Sequence, residues 1–232
     1  MFHTQVGPNV QTVDSGLRKF FNNIYQNVGY ALLLIGCTSF FVAHFTPIQY
    51  LLFKTPLFFV ALIAPIGLSL YLQTSVHKIS VSRAQTLYWM IVGSYAVMLS
   101  SIFSIFTPYS IFSAFITAGA IFCSASYYGT RTDTDLSQFN SMLRVGMWGL
   151  LGAMLVNLLI GSGMLQTLIS MSAVLIFTVM IAYESQTLSN LYYVRQSEDS
   201  LEKIAILGSL QLFLSFITIF MHLLRLMGTR RE

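Results

Sequence analysis

Charged side chains are scarce in this chain: Asp, Glu, Lys and Arg make up only 9% of its 232 residues, against about 25% in a typical soluble domain. Hydrophobic residues make up 55%. So few charges cannot cover a globule in water, and we therefore expect the lipid bilayer to be the solvent of this chain. Its length has room for a single domain. The net charge of +4 is typical of topology signals and contact with anionic lipid, and we expect no nucleic-acid binding.

Cysteines are few, and motifs for catalysis are missing. Cys37 and Cys123 lie in separate apolar runs, which favours buried packing residues over a disulfide or a metal pair. The sequence has no phosphate-binding glycine loop, zinc-ligand spacing or redox motif. The Gly161-Ser162-Gly163 segment is a loop and not the GxSxG elbow of hydrolases. We therefore expect no enzyme activity, no catalytic residues, no cofactor and no bound metal.

Long apolar runs are what the chain does contain. A spanning helix needs about 20 apolar residues, and such runs cover residues 27–46, 51–73, 86–107, 109–128, 143–162, 164–187 and 204–227. The sequence predicts an all-α membrane protein with residues 1–25 as a cytoplasmic N-terminal segment, 26–228 as a seven-helix transmembrane domain and 229–232 as a C-terminal tail. The third and fourth runs could form one long helix, but Pro108 favours a break. Residues 16–25 could form a short interfacial helix or a frayed tail.

The distribution of Lys and Arg predicts a cytoplasmic N-terminus. The segments that would then face inward contain Arg18, Lys19, Lys78, Arg83, Arg131, Arg144, Arg195 and Lys203. The outer loops contain only Lys54, so the positive-inside rule favours this orientation. Seven spans then place the C-terminus outside, although the basic C-terminal tail argues against it.

Glu184 is the only acidic residue inside any of these apolar runs. A carboxylate in a membrane span costs about 3 kcal/mol on insertion scales, and such residues are typical of proton or ion paths. Because desolvation penalises the charged form of an acid, we expect Glu184 to exchange its proton near neutral pH and to act in a pH-sensitive gate. The alternative is a helix-end carboxylate that reaches the headgroup region.

The last run carries a polar stripe. Its members recur at spacings of 4, 3, 4 and 3 residues: Gln211, Ser215, Thr218, His222 and Arg225. One polar face on an apolar helix predicts a central helix whose stripe lines a cavity. The alternative is hydrogen bonding between helices without any pathway. Asn157 in the fifth run also needs a polar partner, so we count it with Glu184, Gln211, Ser215, Thr218 and His222 as candidate pH-sensing or ion-path residues.

Several segments together resemble the Bax inhibitor-1 family. Residues 205–228 (AILGSLQLFLSFITIFMHLLRLMG) are similar to the last-helix signature of that family. Residues 182–186 (AYESQ) resemble its Y-D-T-Q segment, and Tyr128-Gly129 with residues 135–137 (DLS) resembles its Y-G-…-D-L-S loop. Residues 16–25 are similar to the N-terminal lead-in, so the resemblance covers nearly the whole chain.

The resemblance implies a seven-helix fold whose last helix is surrounded by six others. It also implies a pH-sensitive calcium leak governed by facing carboxyls on helices six and seven. Those positions are Glu184 and Ser215 in this chain, and one carboxylate binds calcium poorly without further oxygen ligands. Glu and Ser there resemble a bacterial branch regarded as modulators of an inner-membrane AAA-type protease. The resemblance thus implies a regulatory protein of a bacterial inner membrane; the alternative is a calcium or cation leak with weak Ca²⁺ passage.

Overall fold

The computed structural model of the chain describes residues 9–44, 57–194 and 197–230. Its long helices, labelled in chain order, are α1 (Asn9–His44), α2 (Leu57–Ser75), α3 (Val81–Leu99), α4 (Pro108–Arg131), α5 (Asn140–Ile160), α6 (Gly163–Val194) and α7 (Glu198–Met227). One helical turn, Ile102–Ile105, follows α3, and a 3₁₀ turn, Leu136–Phe139, precedes α5. Extended pairing in the described residues is limited to one bridge between Phe106 and Arg230. The predicted all-α class is confirmed.

Six segments of the described chain are long and apolar enough to cross a bilayer. They are Ser15–Ala43, Val81–Ile105, Pro108–Arg131, Leu136–Ile160, Gly163–Val194 and Glu198–Met227. The predicted second run begins at residues 51–56, which include Lys54 and lie outside the described residues, and helix α2 contains the rest of it. The end of the first run also lies outside the described residues. The chain is therefore an integral membrane protein by length and composition of its helices. The direction in which the spans cross stays a prediction.

The N-terminal part of α1 is packed on the bundle. Residues 16–25, predicted as an interfacial helix or a frayed tail, are continuous with the first span. Ile24 is buried, and the ring of Phe20 lies 5.4 Å from that of Tyr192 on α6. An amphipathic segment joined to a span without a breaking residue continues the helix, so the frayed alternative is wrong. The cytoplasmic location of residues 1–25 stays a prediction.

The break at Pro108 is confirmed, and the C-terminal tail packs against it. Thr107 caps α4 by accepting a hydrogen bond from the Ser110 N–H at 3.4 Å, with Pro108 in the first helical turn. The Thr107 N–H donates to the Thr229 carbonyl at 3.0 Å, and the Thr229 N–H donates to Ser110 Oγ at 2.9 Å. These bonds fix the tail to the end of the membrane at which α4 begins.

Helix α7 is the most buried helix, and its predicted central position is confirmed. It contacts α1, α2, α3, α4 and α6, while α5 packs mainly on α6. Phe213 is fully buried, with its ring 5.6 Å from that of Tyr95 on α3, and the ring of Phe216 lies 5.8 Å from that of Phe122 on α4. Aromatic contacts of this kind fix the helices around α7.

Both cysteines are free and exposed on the protein surface. The prediction that they are buried is wrong, because an apolar run in a membrane also has a face that contacts lipid. The lipid-facing surface carries other large apolar side chains, such as Leu159, which is 88% exposed. Apolarity alone therefore does not distinguish the lipid-facing side from the core.

Candidate functional site

Three consecutive side chains of α6 bind three different neighbours. Glu184 accepts a hydrogen bond from α7, Ser185 is bonded to α4, and Gln186 binds the segment between α4 and α5. Successive residues of an α-helix point about 100° apart, so one short stretch can reach in three directions. It lies about 15 Å from the C-terminal end of α6 at 1.5 Å per residue.

The Glu184 contact joins α6 to α7, the two helices with the most extensive contact in the described bundle. Ser215 Oγ on α7 donates to Glu184 Oε2 at 3.0 Å. Ser215 is buried, whereas Glu184 is partly buried. No group of three or more His, Cys, Asp or Glu side chains that could hold a metal occurs in the part of the chain that the structure describes. One carboxylate with one hydroxyl falls short of the six to eight oxygens that calcium takes.

Next to this contact, α4 and α6 approach closely at a glycine. A Cβ on Gly129 would overlap the backbone carbonyl of Ala182. The approach places Ser126 Oγ 2.8 Å from Ser185 Oγ, and both serines are buried. The Tyr25 hydroxyl of α1 lies 2.7 Å from the same Ser126 oxygen. A hydrogen-bonded chain of three hydroxyls thus joins α1, α4 and α6 beside Glu184.

The predicted site residues did not include Tyr25, Ser126 or Ser185. Hydroxyls are common in apolar helices, where they can bond to their own helix, as Thr178 does to the Val174 carbonyl at 2.6 Å. The available signal was the Tyr128-Gly129 pair, since a glycine within a span often marks close approach of two helices.

Gln186 holds the segment that precedes α5. Its Oε1 accepts from the Leu136 N–H at 2.8 Å, and its Nε2 donates to the Thr134 carbonyl at 2.8 Å. Between them, Asp135 caps the 3₁₀ turn by accepting from the Ser137 N–H at 2.9 Å, a bond that holds the pKa of Asp135 below its usual range. A shift of α6 would therefore move this segment as well as α4 and α7.

A second polar cluster lies toward the opposite end of α6. Asn157 Nδ2 donates to Gln166 Oε1 at 3.1 Å, and Gln166 Nε2 donates to Ser170 Oγ at 3.3 Å. Ser170 Oγ lies 3.2 Å from His222 Nδ1 on α7. Two predicted site residues, Asn157 and His222, are thus connected through two residues of α6 that were not predicted. The cluster fastens the α5–α6 hairpin to α7.

Asn157 also stabilises the turn between α5 and α6. Its carbonyl accepts from the Gly161 N–H at 2.8 Å, and its Oδ1 accepts from the Ser162 N–H at 3.1 Å. Gly161 ends α5 in the left-handed region, at a φ of 70° that glycine adopts without strain. Asn157 thus has the polar partners that its place in an apolar run predicted, and they include the turn that ends α5.

The polar stripe of α7 is divided between two environments. Ser215 and His222 are buried against α6, and Thr218 is half-buried with its hydroxyl donating to the Leu214 carbonyl at 2.8 Å. Gln211 and Arg225 are exposed, so the prediction that the whole stripe turns inward is wrong for these two; that the stripe lines a cavity stays a prediction. The five residues spread over about 80° of the helix, and α6 covers only one edge of that arc.

Apolar side chains separate the two polar clusters along α7. Ser215 and His222 are about 10 Å apart along the helix axis. Phe216, Ile217, Ile219 and Phe220 between them are all buried. On the face of the stripe itself, the half-buried Thr218 lies between the two levels.

Comparison with known proteins extends the similarity over nearly the full chain. Residues 17–232 match a family model described as "Inhibitor of apoptosis-promoting Bax1". The inner membrane protein YbhL of Escherichia coli K12 is 33% identical over 220 residues, which cover 94% of each chain. An uncharacterized protein of Borreliella burgdorferi is 35% identical over 217 residues, covering 92% of this chain and 93% of that protein. Protein RP147 of Rickettsia prowazekii, also uncharacterized, is 32% identical over 222 residues, 96% and 94% of the two chains.

Proposed function

The chain belongs to the Bax inhibitor-1 family, and on that premise we propose that it is a regulatory protein of a bacterial inner membrane that acts by binding another membrane protein. The similarity to YbhL, which is named an inner membrane protein, supports this location. The partner class is an AAA-type membrane protease, which follows from the resemblance of Glu184 and Ser215 to the corresponding pair in the bacterial modulators.

The Glu184–Ser215 hydrogen bond is the observation that carries this proposal. Members of the family with a proposed calcium leak have two facing carboxyls at these positions. Here the serine hydroxyl donates to the single carboxyl at 3.0 Å, so the contact holds α6 to α7 without needing a cation. Glu184 joins α6 to α7, and the next two residues of α6 bind α4 and the segment before α5. This arrangement is suited to transmit a conformational change between these elements.

A polar groove offers a surface for the partner. It encloses about 610 Å³ between the start of α1, the end of α6 and the start of α7. Lys19 and Asn22 of α1 line one side, and Glu198 and Glu202 of α7 line the other. The groove lies at the end of the membrane predicted to be cytoplasmic. We propose that it binds a polar segment of the protease.

Turnover of a protease substrate tests this function. In proteoliposomes that contain an AAA-type membrane protease, addition of the chain should change the rate at which a labelled substrate is degraded. Glu202→Lys, which reverses a charge in the groove, should reduce that change severalfold. Asp199→Lys is the matched control, because Asp199 is exposed at the start of α7 and does not line the groove. An unchanged degradation rate with the wild-type chain would contradict the proposal.

A pH-sensitive cation leak is the second candidate. It is favoured by the polar clusters at two levels of α6 and α7, with a carboxyl at one of them and buried apolar side chains between. Calcium flux into liposomes between about pH 6 and 8, the range that shifted buried carboxyls reach, tests it. If the leak exists, Glu184→Gln should remove its pH dependence, and Ser215→Asp should increase flux by restoring the carboxyl pair. A Glu184→Gln profile identical to that of the wild type would rule out Glu184 as the gate.

A further inference from the structure

Two cavities lie in the crevice between α1 and α4, and they differ in chemistry. The first, of about 360 Å³, is lined by Leu17, Arg18, Phe21 and Tyr25 of α1 and by Thr130 and Arg131 of α4. It therefore places two guanidinium groups at the end of the membrane where α1 begins. Arginine forms paired hydrogen bonds with phosphate oxygens, so this pocket has the chemistry of a phosphate site.

Arg131 is held at the rim of this pocket by an aromatic ring. Its guanidinium carbon lies 5.5 Å from the centre of the Tyr127 ring, a cation–π contact that orients the side chain. Tyr127 is exposed on α4, and tyrosines of this kind are enriched where the hydrocarbon meets the headgroups. The Tyr25 hydroxyl, bonded to Ser126 at 2.7 Å, marks the inner end of the pocket.

The second cavity is apolar and lies farther along the same two helices. It encloses about 440 Å³ and is lined by Leu32, Gly36 and Phe40 of α1, by Ile111 and Phe115 of α4, and by aliphatic and aromatic side chains of α7 and the turn before α4. Gly36 is about 27 Å from Arg18 along α1, at 1.5 Å per residue. Such a cavity in the wall of a membrane bundle is suited to hydrocarbon.

One face of α1 runs past both cavities. Arg18, Tyr25, Gly29 and Gly36 are spaced by 7, 4 and 7 residues, which places them on one side of the helix. A Cβ on Gly29 or Gly36 would meet no heavy atom within 4 Å, so α1 leaves open space along this face. Along this face lie the basic pocket, the Tyr25–Ser126 bond that bridges α1 to α4, and then a furrow past the two glycines that ends at the apolar cavity.

We propose that the α1–α4 crevice binds an anionic phospholipid, with its phosphate between Arg18 and Arg131 and an acyl chain in the apolar cavity. Basic pockets between membrane helices are typical sites for anionic headgroups. The phosphate chemistry alone would also fit a soluble phosphate ion, but the apolar cavity aligned with the basic pocket favours the lipid.

Native mass spectrometry of the full chain in detergent tests the headgroup contact. Dioleoyl phosphatidylglycerol should bind at least tenfold more tightly than phosphatidylcholine with the same chains. Arg18→Gln with Arg131→Gln should weaken its binding by about tenfold or more, as expected for loss of charge-assisted hydrogen bonds. Lysine at both positions keeps the charge but not the paired hydrogen bonds, so it should give an intermediate affinity. The matched control is Arg83→Gln with Arg144→Gln, two exposed arginines outside the pocket, which should change binding less than twofold. Equal binding of the two lipids, or an equal loss in the control pair, would overturn the proposal.

A second comparison distinguishes a lipid from a soluble anion. Gly36→Leu places a side chain in the apolar cavity and should weaken binding of the dioleoyl lipid severalfold. The same variant should bind inorganic phosphate and dihexanoyl phosphatidylglycerol as the wild type does. Gly29→Leu, in the part of the furrow nearer the basic pocket, gives an independent variant if Gly36→Leu does not fold. If inorganic phosphate binds as tightly as the dioleoyl lipid and neither leucine has an effect, the site takes a soluble anion and the lipid proposal is wrong.

Discussion

Replacement of Gly129 by alanine should separate α4 from α6 and disrupt the polar contacts around Glu184. The added methyl group would overlap the backbone of Ala182, which cannot rotate away as a side chain could. The two helices must therefore move apart, and the 2.8 Å contact between Ser126 and Ser185 is the first to lengthen. Gly129→Ala thus tests whether the close approach of the two backbones positions the site.

The expected magnitude combines three opposing effects. Overpacking of a tight contact costs about 1–3 kcal/mol, and loss of a buried hydrogen bond costs about 1 kcal/mol. Alanine in place of glycine stabilises a helix by about 1 kcal/mol. The net result for Gly129→Ala is destabilisation by about 1–3 kcal/mol. Gly119→Ala on the same helix should be stabilising, since a Cβ there meets no heavy atom within 4 Å.

Reversible unfolding in bicelles provides the measurement. The two alanine variants have the same chemical change in the same helix, so their difference isolates the packing at Gly129 from helix propensity. We expect the free energies of unfolding to differ by about 2–4 kcal/mol, from the sum of the overpacking and hydrogen-bond costs. Equal stability of the two variants would show that α4 and α6 do not approach as closely as described.

Three further outcomes follow from the contacts. Ser215→Ala should lower the free energy of unfolding by about 1 kcal/mol through loss of its hydrogen bond. Gln211→Leu, at an exposed position, should change that free energy by less than about 0.5 kcal/mol. Similar effects of the two variants would show no difference between the buried and exposed parts of the stripe. Gln186→Leu should speed hydrogen exchange at residues 134–137, and Gln138→Leu, whose side chain is exposed, should not; equal exchange in the two variants would mean that Gln186 does not hold this segment. A reporter fused after Glu232 should lie on the outer side of the membrane, and a cytoplasmic signal would mean that one apolar run is re-entrant or that two runs form one helix.

The fold could be predicted from the sequence because its signals are local and strong. Long apolar runs and the scarcity of charge predict membrane helices, and Pro108 at the first turn of α4 marks the break that apolarity alone does not show. The central position of α7 could also be predicted, since a helix with polar groups needs protein neighbours. These inferences depend on single helices and not on which helices meet.

The site could be predicted only in part, because its contacts depend on how helices are rotated against one another. Glu184 stood out as the one acid in an apolar run, and its pairing with Ser215 followed from the family resemblance. Neither signal revealed that Ser126 and Ser185 meet, since that contact depends on the close approach at Gly129. Helical spacing placed Gln211 on the same face as Ser215, but the position of α6 decides which of the two is buried.

Site-specific photo-crosslinking in native membranes tests the proposed function most directly. A photoreactive residue in place of Asn22, which is exposed and lines the polar groove, should form a covalent adduct with an AAA-type membrane protease. The same residue in place of Gln138, which is exposed outside that groove, is the control. We expect a protease adduct from Asn22 well above the Gln138 level. A protease signal from Asn22 no greater than that from Gln138 would contradict it.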